Sequence, residues 1–212
     1  DPVFDVTLVI SQPDKPVGRK QAITPSPVKT CALRHGIPVF QPEDINKELP
    51  KKNISCDFLV VTAYGQILSK EVLEIPHIAP VNVHASLLPQ WRGASPMQHS
   101  LLSGDTQTGI TIQKMAEVLD AGEILSQCVT PINNRETIAT LHDRLAAMGA
   151  KQILATLKKP LDPVPQSKAG ITRCSKLSRT DGDVDPQHMT AEEIDRRVRA
   201  LVPWPGVRCS MD

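Results

Sequence analysis

Apolar residues in this chain fall in short clusters separated by proline, glycine and polar breaks, and the clusters alternate between strand-like and helix-like spacing. Residues 5–10, Asp-Val-Thr-Leu-Val-Ile, read as a strand closed by the Ser11-Gln12-Pro13-Asp14 turn. A loop containing Pro16, Gly18 and Pro25 follows. Ser26-Pro27 then opens a helix running to Gly36, because proline suits the first helical position. The pattern continues with a strand over 37–40, a short helix over 43–49 and an almost continuous apolar run over 57–63. Such a run suits a parallel strand covered on both faces, and Tyr64-Gly65 ends it. A short helix over 69–75, a strand over 80–83 and a helix over 94–102 stopped by Ser103-Gly104 come next. Residues 108–115 and 123–130 form two further strands. Residues 137–159 carry the longest helical pattern, with Ile138, Leu141, Leu145 and Met148 at helical spacing. Repeated strand–helix alternation predicts a doubly wound, mostly parallel α/β sheet with helices on both faces.

After Pro160 the texture changes. Residues 168–179 carry four basic residues and no acid. Thr190-Ala191-Glu192-Glu193 matches a capping box, in which the Thr190 hydroxyl and the Glu193 carboxylate each meet a free backbone donor. That helix runs to Val202 and is stopped by Pro203-Trp204-Pro205-Gly206. Residues 207–212 alternate like a strand just begun, which leads us to expect a fragment. The predicted organisation is a main domain over 1–160, a linker and closing helix over 161–206, and the start of another domain over 207–212.

Composition narrows the class. A length of 212 residues suits one substantial domain, or one domain plus the start of a second. With 40% apolar but only 3% aromatic residues the core must be largely aliphatic. Nineteen prolines, about twice the ordinary usage of roughly 5%, mark many sharp element boundaries. A net charge of +1 leaves only local patches to attract a polyelectrolyte. Cys31, Cys56, Cys128, Cys174 and Cys209 are odd in number and lack paired metal spacing, so reduced thiols are expected. No run approaches the ~18 apolar residues of a membrane span. A soluble intracellular protein is the expectation.

The candidate chemistry centres on Ala79-Pro-Val-Asn-Val-His-Ala-Ser-Leu-Leu-Pro-Gln-Trp-Arg-Gly93. Asn82 and His84 lie two apart, so on a strand they face the same way. A carboxamide and an imidazole at a strand end offer polarisation and a proton carrier. They would serve equally as a polar strand end bonded to backbone. Asp120, after the strand over 108–115 and before Gly122, is the candidate carboxylate, although Asp before Ala-Gly is also ordinary turn chemistry. The other histidines (His35, His77, His99, His142, His188) form no ligand spacing, so no metal is expected. No Gly-rich phosphate loop follows the first strand, which removes the main support for a nucleotide-dependent dehydrogenase or kinase. The basic loop over 15–20 and the segment 168–179 are either solvated surface or phosphate contacts of a nucleic acid.

The run from Asn82 to Gly93 resembles the signature of the 10-formyltetrahydrofolate-dependent formyltransferases. So do Gln12-Pro13-Asp14-Lys15-Pro16 with Gly18-Arg19-Lys20, Pro25-Ser26-Pro27-Val28-Lys29, Ala63-Tyr64-Gly65, Trp91-Arg92-Gly93-Ala94-Ser95-Pro96 and Pro203-Trp204-Pro205-Gly206. The resemblance covers nearly the whole chain and implies a formyltransferase-type sheet. It implies a catalytic trio of Asn82, His84 and Asp120, with folate contacts at Ser86, Leu87, Leu88 and Pro89 and at Ala63, Tyr64 and Gly65. It also implies a tRNA-gripping loop carrying Lys15, Arg19 and Lys20. The implied reaction moves a formyl group from 10-formyltetrahydrofolate to the amine of initiator methionyl-tRNA, for translation initiation. Asn82 and protonated His84 would steady the oxyanion while Asp120 sets the imidazole and helps move the proton. A monomer without metal or membrane attachment is implied, cytoplasmic in a bacterium and mitochondrial or plastid in a eukaryote. Two rivals stand beside this: transfer to another amine, and a catalytically silent folate- or tRNA-binding remnant. The family's first strand and helix, with a Gly-Thr-Pro turn, are expected to be missing before Asp1, and its C-terminal β-barrel after Asp212. Ala116 and Val118 replace the family's usual Asp and Gly near Asp120, which is expected to stiffen that loop.

Overall fold

The computed structural model describes residues 2–18 and 20–209. The chain divides into two compact units, Asp1–Pro80 and Val81–Asp212. In the first, β1 (Val9–Ile10) pairs in parallel with β4 (Val39–Phe40), Val9 opposite Val39. Between them β2 (Lys15–Val17) and β3 (Ala22–Thr24) form an antiparallel hairpin, followed by α1 (Pro27–Arg34). The Ser26 hydroxyl caps α1 by accepting from the Lys29 amide, and Pro27 occupies its first turn. The expected strand over 5–10 is confined to Val9–Ile10, where the neighbouring β4 supplies hydrogen bonds. α2 (Ile45–Glu48), β5 (Phe58–Val61) and α3 (Lys70–Leu73) complete this unit, with Ile45, Leu49, Leu68, Val72 and Leu73 buried.

The second unit carries the larger core. β6 (Ala79–His84) crosses the boundary between the units, and β7 (Arg92–Gly93), α4 (Pro96–Ser103), β8 (Gln107–Lys114) and β9 (Ile124–Pro131) follow. β6, β8 and β9 pair antiparallel, with Asn82 opposite Gln113 and His84 opposite Thr111. The α/β class is as expected, but this part of the sheet departs from the mostly parallel arrangement predicted. The connection from Lys114 to Ile124 is too short for the crossover of a dozen or more residues that parallel strands need.

The long helix α5 (Ile138–Leu157) buries Ile138, Leu141, Leu145 and Gly149 on one stripe. Gly149 lets the helix come close to the sheet: a Cβ there would lie 3.0 Å from Val83 Cγ1. Ile110, Ile112, Leu101, Leu177 and Leu201 close the core. The stretch after α5, expected as linker and closing helix, also contributes two strands. β10 (Arg173–Cys174) pairs in parallel with β7, and β11 (Asp183–Val184) pairs with β12 (Arg208–Cys209). Between them α6 (Ala191–Leu201) starts with the predicted Thr190–Glu193 capping box. Residues 210–212, part of the expected further domain, lie outside the described residues.

Glu136 sits just before α5, 6% exposed, paired with Arg144 at 2.6 Å. Burial pushes its carboxyl up, but hydrogen bonds from Thr140 and the Asn133 amide, with the Arg144 charge, outweigh this and hold it below its ordinary 4.5. A carboxyl depressed by folding stabilises the fold above its unfolded value and stops doing so as pH falls through the lower folded value. Glu136→Gln should therefore cost about 2 kcal/mol at pH 7, in line with a lost charged hydrogen bond. Denaturant unfolding at pH 7 and pH 3 checks this: the gap between variant and wild type should shrink in acid.

Candidate active site

Strand pairing alone brings most of the site together. Asn82 and His84 project from one face of β6, and Gln113 and Thr111 lie opposite them on β8. All four are at least nine-tenths buried. Asp120 enters from the loop between β8 and β9, itself 9% exposed and with a backbone φ of +51°. Its Oδ1 accepts from Gln113 Nε2 at 2.8 Å and from Asn82 Nδ2 at 3.3 Å. His84 Nδ1 lies 3.5 Å from the same oxygen. Its Oδ2 accepts from the Gly93 amide at 2.8 Å. The structure thus joins the three residues expected to act together.

The imidazole is held from its other side. His84 Nε2 lies 2.9 Å from the Trp91 carbonyl, an acceptor, so Nε2 carries the proton in that contact. Nδ1 faces Asp120 across a gap long for a hydrogen bond, and is the nitrogen able to engage an incoming group. Asn82 uses one Nδ2 contact with Asp120, and a carboxamide nitrogen has two protons to give. Gln113 Oε1 is a buried acceptor with no partner among the described residues.

Residues 91–93 carry two of these contacts and are fixed by β10. The Trp91 amide donates to Thr172 Oγ1 at 2.8 Å, the Arg92 amide to the Thr172 carbonyl, and the Ala94 amide to the Cys174 carbonyl. Only glycine fits at position 93: its φ is +126°, and a Cβ would stand 2.0 Å from the Cys174 carbonyl oxygen. Cys174 Sγ donates to the Trp91 carbonyl at 3.3 Å. Burial, reinforced by the charge of Asp120, pushes the Cys174 thiol up, so it stays neutral.

The other predicted positions fall in two places. Ser86, Leu87, Leu88 and Pro89 form the turn after β6, in the second unit. Thr111 Oγ1 donates to the Ser86 carbonyl at 2.7 Å and accepts from the Leu88 amide at 3.1 Å. Gln127 Nε2 donates to the Leu88 carbonyl at 2.9 Å. Ala63, Tyr64 and Gly65 belong to the first unit, in the turn after β5, with φ of +45° at Ala63 and +87° at Gly65. Burial, then the Glu48 charge, pushes the Tyr64 phenol up, and its hydroxyl has no partner among the described residues. Lys15 and Lys20 are exposed on the β2–β3 hairpin, whereas Arg19 lies outside the described residues. At the base of the hairpin Lys29 Nζ bridges Asp14 at 2.7 Å and Gln41 at 2.6 Å.

Gln113, Thr111, Gln127, Arg92 and Gln166 were not among the predicted site residues. Thr111 and Gln113 carried a usable signal, since polar residues two apart within a buried strand must have partners. No group of three His, Cys, Asp or Glu suited to a metal occurs among the described residues. No helix among them is long and apolar enough to cross a membrane.

Known proteins match this chain closely. The family model described as formyl transferase matches residues 3–157. The methionyl-tRNA formyltransferase of Halorhodospira halophila is 47% identical over 209 residues, covering 96% of this chain and 67% of that protein. The enzyme of the same name from Chromobacterium violaceum is also 47% identical over 209 residues, covering 95% and 67%. Among solved structures, a sugar N-formyltransferase from a Shewanella species superposes with a TM-score of 0.70 at 20% identity, over 90% of this chain and 78% of that one. HypX from Aquifex aeolicus in complex with tetrahydrofolic acid gives 0.70 at 15% identity, over 96% and 35%. These structures share the fold, and the family match with the closer relatives shows that this chain belongs to the formyl transferase family, alongside the methionyl-tRNA formyltransferases.

Proposed function

We propose that this protein transfers a formyl group from 10-formyltetrahydrofolate to the amino group of initiator methionyl-tRNA. The observation that carries this reading is the buried Asn82–His84–Asp120 cluster in a chain 47% identical to a methionyl-tRNA formyltransferase. Tetrahydrofolate appears with a protein of the same fold, which supports a folate as formyl donor. The donor would rest on Ser86, Leu87, Leu88 and Pro89. The unpartnered Gln113 carbonyl fits a ligand that presents an N–H group. The folate supplies an activated one-carbon unit at the oxidation level of formate.

The residues divide the remaining work. As the amine attacks, the formyl oxygen gains negative charge. The second Asn82 amide proton and, in the imidazolium form, the His84 Nδ1 proton would meet it. The Trp91 carbonyl keeps the imidazole turned so that Nδ1 does this work. Asp120, already ringed by amide donors, takes the proton released by the attacking nitrogen. That proton must return to the nitrogen of the leaving group for the products to separate, and Asp120 would pass it on. Lys15 and Lys20, with Arg19, would meet tRNA phosphates, and the protein would act as a soluble, cytoplasmic monomer.

Formyl transfer to charged methionyl-tRNA, compared with transfer to free amines and amino sugars, tests the assignment. Transfer to the charged tRNA with little or none to the free amines is expected. No transfer to the tRNA in the presence of 10-formyltetrahydrofolate would remove it.

A further inference from the structure

The loop that delivers Asp120 is held by a residue beyond the matched formyl transferase region, which ends at 157. Gln166 Nε2 donates to the Asp120 carbonyl at 2.9 Å and to the Gly122 carbonyl at 2.7 Å. Its Oε1 accepts from Arg92 Nη2 at 2.6 Å and from Arg92 Nε at 3.1 Å. Arg92 is 9% exposed, and among the described residues this amide oxygen, rather than a carboxylate, receives its side chain. The backbone that brings Gln166 into place is itself anchored. Val164 exchanges both backbone hydrogen bonds with Ile124, at 2.8 and 2.9 Å.

Each side of this amide thus reaches a different part of the site. Arg92 lies between Trp91, whose carbonyl holds His84, and Gly93, whose amide holds Asp120. The carbonyls of 120 and 122 belong to the loop that keeps Asp120 at positive φ. A non-glycine residue at positive φ sits in a sparsely populated region and needs its neighbours to hold it there. Two carboxamides, an imidazole and a backbone amide meet at one carboxylate, so a shift of the loop would detune several contacts at once.

We propose that Gln166 is a positioning residue for formyl transfer: through Arg92 on one side and the 120 and 122 carbonyls on the other, it sets the separation between His84 and Asp120. This rests on the reading that Asp120 moves the proton. It assigns a role in the reaction to the segment after the long helix.

Two substitutions separate the two halves of the clamp. Gln166→Ala removes both. Gln166→Glu keeps a good acceptor for Arg92 but sets its other carboxylate oxygen against two carbonyls. Both variants, checked by melting to be folded at the assay temperature, should lower kcat by about 10–100-fold, the scale of an ångström-sized misplacement. KM for methionyl-tRNA should stay within about threefold, since the tRNA contacts are elsewhere. Amide hydrogen exchange over residues 116–123, measured without folate, should speed up in both. Gln166→Glu at wild-type kcat and wild-type exchange would overturn the proposal, because holding Arg92 would then suffice. So would a lowered melting temperature in both variants with kcat unchanged. Asp120→Asn serves as the control. If it leaves kcat intact, the proton-transfer reading falls and the clamp with it. If it removes turnover while the Gln166 variants keep theirs, the clamp alone falls.

Discussion

His84→Ala should lower kcat for formyl transfer by about 10²–10³-fold, the range for loss of one oxyanion-stabilising donor. Folate affinity, measured by calorimetry, should change little, because the turn at residues 86–89 is held by Thr111 and Gln127 rather than by the imidazole. The variant should also fold. The imidazole is buried at 6% exposure, and removing it frees the Trp91 carbonyl, but that oxygen keeps the Cys174 thiol at 3.3 Å. The 91–93 backbone retains its bonds to β10. A large kcat loss with folate binding retained places the imidazole in the chemical step. Turnover unchanged from wild type would take His84 out of the mechanism.

Part of this site was legible from spacing alone. Asn82 and His84 are two apart on a six-residue strand, so the period of a strand puts them on one face. Asp120 is 38 residues from Asn82, and no periodicity links positions that far apart. Its place after a strand and before Gly122 made it the candidate carboxylate, but ordinary turn chemistry explained it as well, and the likeness to known formyltransferases joined it to Asn82 and His84. Gln113 was visible as a residue but not as a partner, because its role depends on which residue of β6 stands opposite it. Register across strands is set by the folded sheet. The antiparallel run of β6, β8 and β9 was missed for a related reason. Apolar alternation reports burial but not strand direction, although the short link between β8 and β9 did carry that information. Gln166 had no signature at all. It sits in a proline-flanked irregular segment, and its partners are two backbone carbonyls and one arginine.

The capping box was the most dependable local signal, because it involves residues three apart and needs no tertiary context. Thr190 with Glu193 opens α6 as the sequence implied. The strands most affected by context were the outer ones. Val-Thr-Leu-Val-Ile at residues 6–10 has the composition of a strand, yet only Val9 and Ile10 find a paired neighbour among the described residues. Strand propensity measures how well side chains fit a half-buried sheet, and without a partner it is not realised.

Asp120→Asn is the sharper probe of the proton path, and the loop geometry explains why. Asp120 sits at φ +51°, where aspartate and asparagine are tolerated better than alanine. Asparagine therefore keeps the backbone in place, while Asp120→Ala would add strain of about 1–2 kcal/mol to the chemical loss. The asparagine amide nitrogen must then face donors whichever way it turns. Asn82 and Gln113 donate to one carboxylate oxygen, and the Gly93 amide donates to the other. One of those contacts is lost, at about 1–3 kcal/mol for a buried group left unsatisfied. Thermal unfolding should show that loss as a lowered midpoint. Turnover should fall further than the stability loss can explain, by about 10²–10⁴-fold, because no group is left to accept the proton of the attacking amine. KM for methionyl-tRNA should be nearly unchanged, since the substitution removes an interaction used in the chemical step rather than in binding. A kcat within about threefold of wild type, in a variant whose melting shows it folded, would mean that solvent takes the proton and that the carboxylate serves only to hold Asn82 and Gln113.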